Sequence, residues 1–146
     1  AILLGPWAAI IIMSAVVGLQ AFLFQDGGIV VLGAAIFNMG ILPAFVGYGA
    51  YRAIQSVSGT HHTVALIGAF VGAWLSVEAS AIVTAFQLAW SGTSPLEVAL
   101  PAMVGVHALI GIGEGLITAA ALGFVVATRP DLLDDHRLTA TEAAGR

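Results

Sequence analysis

The stretch Val98–Thr128, VALPAMVGVHALIGIGEGLITAAALGFVVAT, decides the fold. A helix rising about 1.5 Å per residue needs roughly 20 apolar residues to cross a hydrocarbon core of about 30 Å. This run exceeds that length and carries one imidazole, His107, and one carboxylate, Glu114. Seven residues are nearly two helical turns, so the two side chains share a face. Ionisable groups at such depth are costly, and they usually face a bundle interior or a water-filled path. The pair therefore either serves a path or holds helices together.

Three more apolar runs precede it, at Leu3–Phe24, Ile29–Gln55 and Thr63–Trp90. Each is long enough to span. The 146 residues are 60% hydrophobic and 8% charged, against about 25% charged in a soluble domain. The mean hydropathy is +1.04. An all-α, polytopic transmembrane helical bundle with four visible spans follows, with residues 1–130 forming the membrane domain and 131–146 a polar tail. Alternation at period two is absent, which argues against a barrel. There is no cysteine, hence no disulfide or thiolate metal site. There is no lysine either, which argues against a nucleic-acid partner. The chain starts with Ala1 inside membrane-like sequence. The expectation is that its true N-terminus lies upstream and that Ala1–Leu4 belongs to an earlier helix.

Gly5-Pro6-Trp7 suits a helix start at a water–lipid interface. Asp26-Gly27-Gly28 reads as a tight turn. The second run holds Gly33, Asn38, Gly40, Pro43, Gly47 and Gly49. Pro43 has no N–H for the carbonyl four residues back, on Met39, so a kink or break is expected near Asn38–Leu42. Broken backbone at membrane depth is tolerated only where protein or a cavity surrounds it. Arg52 to His62 reads as a solvated loop, and its adjacent His61 and His62 diverge too much to chelate together. Ser91–Pro95 is a short turn.

All four arginines, Arg52, Arg129, Arg137 and Arg146, fall in the second connection and the tail. Four spans put both on one side, and positive charge marks the cytoplasm. The C-terminus is therefore expected in the cytoplasm, with Asp26 and the Ser91–Glu97 turn outside.

Of the four basic and eight acidic side chains, only Glu78 and Glu114 lie deep within spans, Arg52 falling at the end of the second run. At about 1.5 Å per residue, Glu78 lies roughly 18 Å below Trp90, His107 roughly 13 Å below Val98 and Glu114 roughly 24 Å below it. Glu78 and His107 can meet if their faces point at each other. His107 is a metal-ligand type and a candidate proton relay. The plainer reading is that these groups pair inside the bundle and carry nothing. Gly68-x-x-x-Gly72, Gly111-x-x-x-Gly115 and the Ala81, Ala85, Ala89 row read as close-packing surfaces within the bundle. There is no phosphate-binding Walker loop and no HExxH, so ATP-driven work would have to come from a partner.

The chain also resembles the CbiM/NikM-type membrane component of energy-coupling-factor cobalt/nickel transporters. The resemblance is carried, in order, by Leu3–Ala9, Gln20–Gly28, Phe37–Gly40, Phe45–Tyr48, His107–Gly115 and Arg129–Asp131. It implies a substrate-binding subunit of seven helices in the cell's inner (plasma) membrane, importing Co²⁺ or Ni²⁺ and feeding cobalamin synthesis. The implied partners are a scaffold membrane protein, two cytoplasmic ATPases and a small auxiliary membrane subunit. No covalently bound cofactor is implied, because the cation is the substrate.

In this family the residues that bind the metal directly belong to the N-terminal part, so none is carried onto this sequence. The resemblance puts Asp26 and Asn38 near the outer mouth. It puts His107 and Glu114 in the family's last-helix motif, and Glu78 joins them as a candidate for the cation path. Two other readings compete. One is a membrane-embedded metal enzyme, which needs Glu78, His107 and Glu114 to converge. The other is a small structural or channel-like oligomer packed through its glycine faces.

Overall fold

The computed structural model describes residues 1–25, 27–59, 61–129 and 132. The described residues are helical, without a strand. α1 is Gly5–Leu23. A short 3₁₀ turn at Ile29–Val31 leads into α2, Leu32–Ile36, and then a π-helical segment, Phe37–Ile41. α3 follows at Leu42–Ser58, α4 at His62–Trp90 and α5 at Leu96–Thr128. From Ile29 to Ser58 the helical path is continuous, so the chain has four helices long and apolar enough to cross a membrane.

Local sequence sets the ends. Gly5 takes φ +77° just before Pro6, which opens α1 with a residue that lacks the donor a first turn does not need. Gly59 takes φ +84° and stops α3. The connection to α4 is therefore only Gly59–His61. This corrects the expected Arg52–His62 loop: Arg52 sits in the last turns of α3, and His62 opens α4. No glycine or proline lies between Gly49 and Gly59, so nothing in the backbone ends the helix earlier.

The elements pack in a row. α1 leans on the π segment and α3, α3 packs on α4, and α4 packs on α5. In lipid no hydrophobic drive separates greasy helices from greasy tails, so close backbone approach holds them together. Glycines provide it. A Cβ on Gly72 would lie 2.7 Å from the Gly47 carbonyl oxygen, and one on Gly68 would lie 3.1 Å from the Tyr51 ring. On α5, a Cβ at Gly111 would lie 2.9 Å from Trp74, and one at Gly115 2.7 Å from Phe70. Both GxxxG motifs are thus occupied inside the chain, as their spacing suggests, which removes the feature that favoured a glycine-packed oligomer.

Tyr51, Ala65, Ala69 and Leu122 form a small buried core, with Ile2 and Leu3 packed against it. At the other end of the row, Trp7 meets Phe45 edge to face, with ring centroids 5.4 Å apart. Outward surfaces stay apolar: Trp90, Val30, Ile11 and Phe124 are exposed, as suits side chains bathed in lipid.

Candidate functional site

The polar groups of this bundle collect in three places. The first is the π segment. In a regular α-helix the Asn38 carbonyl would accept from Leu42, but the Leu42 N–H donates to Phe37 instead. In the π register the partner of Asn38 five residues on is Pro43, which has no N–H. The Ser80 hydroxyl of α4 fills this gap, 2.7 Å from the Asn38 carbonyl and 2.9 Å from that of Ser76. The expected break near Asn38–Leu42 is therefore this π segment. The carbonyl served from outside the helix is that of Asn38, one residue before the one a plain proline kink would expose.

The Asn38 side chain is 8% exposed and fully engaged. Its Nδ2 donates to Gln87 Oε1 at 2.6 Å and to Thr84 Oγ1 at 3.2 Å. Gln87 Nε2 returns a bond to Asn38 Oδ1 at 3.1 Å. Thr84 passes its own proton to the Ser80 carbonyl at 2.8 Å. Ser80, Thr84 and Gln87 belong to this network although none of them is ionisable or a metal-ligand type. A signal was present: with Ser76 they recur at steps of four, four and three along α4, a polar stripe on one face of an apolar helix. Asn38 is thus tied to α4 and offers no free amide edge, while Asp26 lies outside the described residues.

The second place is the seam between α4 and α5. Trp74 Nε1 donates to the Ala108 carbonyl at 3.1 Å. One turn further along α4, Glu78 is buried, and its Oε1 has no hydrogen-bond partner among the described residues. An unpaired buried polar atom costs about 1–3 kcal/mol, so such atoms are rare in the absence of a role. His107 is half-buried, and its Nδ1 lies 2.7 Å from the Met103 carbonyl.

The third is a cleft of about 610 Å³ between α1, α3 and α5, floored by α4. Its walls are apolar except where Glu114 and Thr118 of α5 and Ser76 of α4 reach it. Met13 and Met39 add two thioethers. Glu114 is exposed, unlike Glu78. Its side chain and that of His107 lie on one stripe of α5, as their spacing implies. No group of three or more His, Cys, Asp or Glu side chains could hold a metal among the described residues. Glu78, His107 and Glu114 thus do not form the converged centre that the enzyme reading requires. His61 and His62 are exposed at the start of α4.

Four long apolar helices, with Asn38 and Glu78 buried among them, define an all-α multi-pass membrane protein. Residues 1–132 match the family model CbiM, described as a cobalt uptake substrate-specific transmembrane region. The chain belongs to that family.

Curated relatives agree with the match. A protein of Archaeoglobus fulgidus, provisionally named as a fused nickel transport protein NikMN, is 38% identical over 135 residues, covering 91% of this chain and 44% of the relative. The cobalt transport protein CbiM of Sorangium cellulosum is 32% identical over 136 residues, covering 92% of this chain and 60% of the relative. A solved structure titled as a transition metal transporter superposes with a TM-score of 0.70 at 35% identity. It covers 92% of this chain and 65% of that one. The chain thus spans about half to two thirds of the proteins it matches. These relatives are named as transport proteins rather than enzymes.

Proposed function

We propose that this protein is part of the substrate-binding membrane subunit of an importer for divalent cobalt or nickel ions. The observation that carries the reading is the family match across residues 1–132, joined to a buried carboxylate, Glu78, whose Oε1 has no hydrogen-bond partner among the described residues. Carboxylate and imidazole donors deep in a membrane mark ion paths more often than they mark packing. The resemblance of the motifs adds an energy-coupling mechanism. The cation is captured outside, ATP is hydrolysed by two cytoplasmic subunits, and a scaffold membrane protein and a small auxiliary subunit complete the complex. It also adds a link to cobalamin synthesis.

On this reading none of the described side chains binds the metal directly. Asp26, Asn38, Glu78, His107 and Glu114 then line or support the path, with Asn38 acting through its hold on α4. Residues 1–130 form the membrane domain, and the tail 131–146 lies in the cytoplasm with the arginines. The test is uptake of radiolabelled cobalt and nickel by cells carrying the full-length protein with its partner subunits. Accumulation above that of cells lacking the ATPases is expected for at least one of the two ions. Equal accumulation with and without the complex would end the importer reading.

A further inference from the structure

One face of α3 carries an aromatic ring, an open backbone notch and a cation, in that order. Phe45, Gly49 and Arg52 stand four and three residues apart, so they share a helical face, and all three are exposed. Pro43 and Gly47 point the other way, toward the cleft and α4, so this face belongs to neither. Trp7 of α1 meets Phe45 edge to face and still stays 71% exposed, so most of its indole is open. A Cβ on Gly49 would meet nothing within 4 Å, which leaves a shallow notch beside the rings.

Arg52 closes the row. Its guanidinium carbon lies 6.0 Å from the centre of the Tyr48 ring, at the outer limit of cation–π attraction. Among the described residues that ring is its one partner, and no carboxylate pairs with it. Of the four arginines, Arg52 alone lies inside a described helix. It precedes the end of α3 at Ser58 by about 9 Å along the axis. A bare cation this near to hydrocarbon is costly. Long cationic side chains relieve the cost by laying the stem on apolar surface and reaching a headgroup with the charge.

We propose that Trp7, Phe45, Tyr48, Gly49 and Arg52 form a binding site for one anionic phospholipid. The phosphate sits on the Arg52 guanidinium, and an acyl chain runs along the rings and the Gly49 notch. Charge complementarity chooses the headgroup, since a guanidinium matches a phosphate with two parallel hydrogen bonds. The apolar row chooses a lipid over free phosphate, which would leave the rings uncovered. One arginine at an anionic surface favours binding by about fivefold. There is no lysine in the chain and no second arginine on this face, so the preference rests on Arg52. The site needs only that α3 meets lipid, and it stands whether or not the importer reading does.

The test reconstitutes the full-length protein in nanodiscs of equal phosphatidylglycerol and phosphatidylcholine, and counts the lipids it retains by native mass spectrometry. Phosphatidylglycerol is expected to be retained about fivefold over phosphatidylcholine. Arg52→Gln is expected to abolish the preference, and Arg52→Lys to keep part of it, because the charge remains while the planar fork is lost. Glu97→Gln, at the start of α5, leaves it unchanged. A second readout places the lipid. Brominated acyl chains quench indole emission, and the share that disappears in Trp7→Phe belongs to Trp7. That share should be larger with brominated phosphatidylglycerol than with brominated phosphatidylcholine, and the difference should vanish in Arg52→Gln. Helical circular dichroism checks that the variants fold, and the headgroup dependence of Trp7 quenching in otherwise unaltered protein decides the matter if they do not.

Equal retention of the two lipids, a preference that survives Arg52→Gln, or Trp7 quenching that ignores the headgroup would overturn the site. Displacement of the lipid by excess inorganic phosphate would make it a free-anion site instead. Loss of the preference when partner subunits assemble on the protein would assign Arg52 to a protein carboxylate and end the lipid proposal.

Discussion

The Ser80 hydroxyl stands 2.7 Å from the Asn38 carbonyl, five residues before Pro43. A side chain on one helix thus makes good a donor that proline removes from another. Together with the Asn38–Gln87 amide pair, it turns a weak point in the second span into a fixed joint with α4.

Removing the hydroxyl should expose the weakness. Ser80→Ala leaves a part-buried carbonyl short of a donor, and the expected loss is about 1–2 kcal/mol. Pro43→Ala restores an N–H to the segment, so the two changes should not add. A double-mutant cycle read by reversible unfolding in detergent should give a coupling of about 0.5–1 kcal/mol. Strict additivity would mean that Ser80 serves some other acceptor.

Gln87→Ala strips the Asn38 amide of both its bonds to Gln87. Stability is expected to fall by about 1–3 kcal/mol, since the orphaned amide stays buried. Gln87→Glu keeps the acceptor but loses the returning donor, and should recover part of the loss. Unfolding midpoints of the three proteins decide the order. If the alanine and glutamate variants match, the amide pair is not the source of the stability.

Two glycines separate close packing from mere flexibility. A Cβ on Gly72 would press on the Gly47 carbonyl at 2.7 Å, whereas one on Gly113 meets nothing within 4 Å. Gly72→Ala is therefore expected to cost about 1–3 kcal/mol through overpacking. Gly113→Ala should be neutral or gain up to about 1 kcal/mol from helix propensity. Thermal denaturation of both variants in the same detergent checks the contrast, and equal effects would contradict the α3–α4 contact.

Trp74→Phe keeps the ring against Gly111 but removes the donor to the Ala108 carbonyl. A loss of about 0.5–1.5 kcal/mol is expected. Amide hydrogen exchange should rise near Ala108 and stay unchanged in α1. A uniform rise along the whole chain would instead point to global destabilisation.

His61 and His62 are exposed where α4 begins, away from the seam and the cleft. Replacing both with alanine should leave cobalt and nickel uptake by the full-length complex within about twofold of wild type, because solvated groups outside the bundle sit on no buried path. A large loss of uptake at normal protein level would bring that end of α4 into the transport cycle.

Much of the architecture was legible in the residues, because a hydrocarbon layer leaves few options to a chain this apolar. Long uncharged runs must become helices, and both GxxxG motifs announced where helices would touch. The last turns of α3 were not legible. The polar sequence from Arg52 to Ser58 looks like a loop until one sees that Gly59 is the first residue able to stop the helix. The polar stripe Ser80–Thr84–Gln87 was visible in outline, yet its partner on another helix was not. The depth of Glu78 and His107 could be counted from the span ends, but counting residues does not give direction around a helix axis.

Sequence alone therefore settled what composition and periodicity control: the number of apolar spans, the irregular stretch near Asn38–Leu42, and the motifs shared with cobalt and nickel transport proteins. Tertiary structure decided what depends on the rotation and register of one helix against another. It set the hydroxyl of Ser80 on the carbonyl of Asn38, closed Gly72 on Gly47, and laid Trp74 on Gly111. The reason is geometric. Contacts along one helix recur every three or four residues and can be read from spacing, whereas contacts between helices depend on a crossing that glycines and hydrogen bonds fix only when both helices are in place.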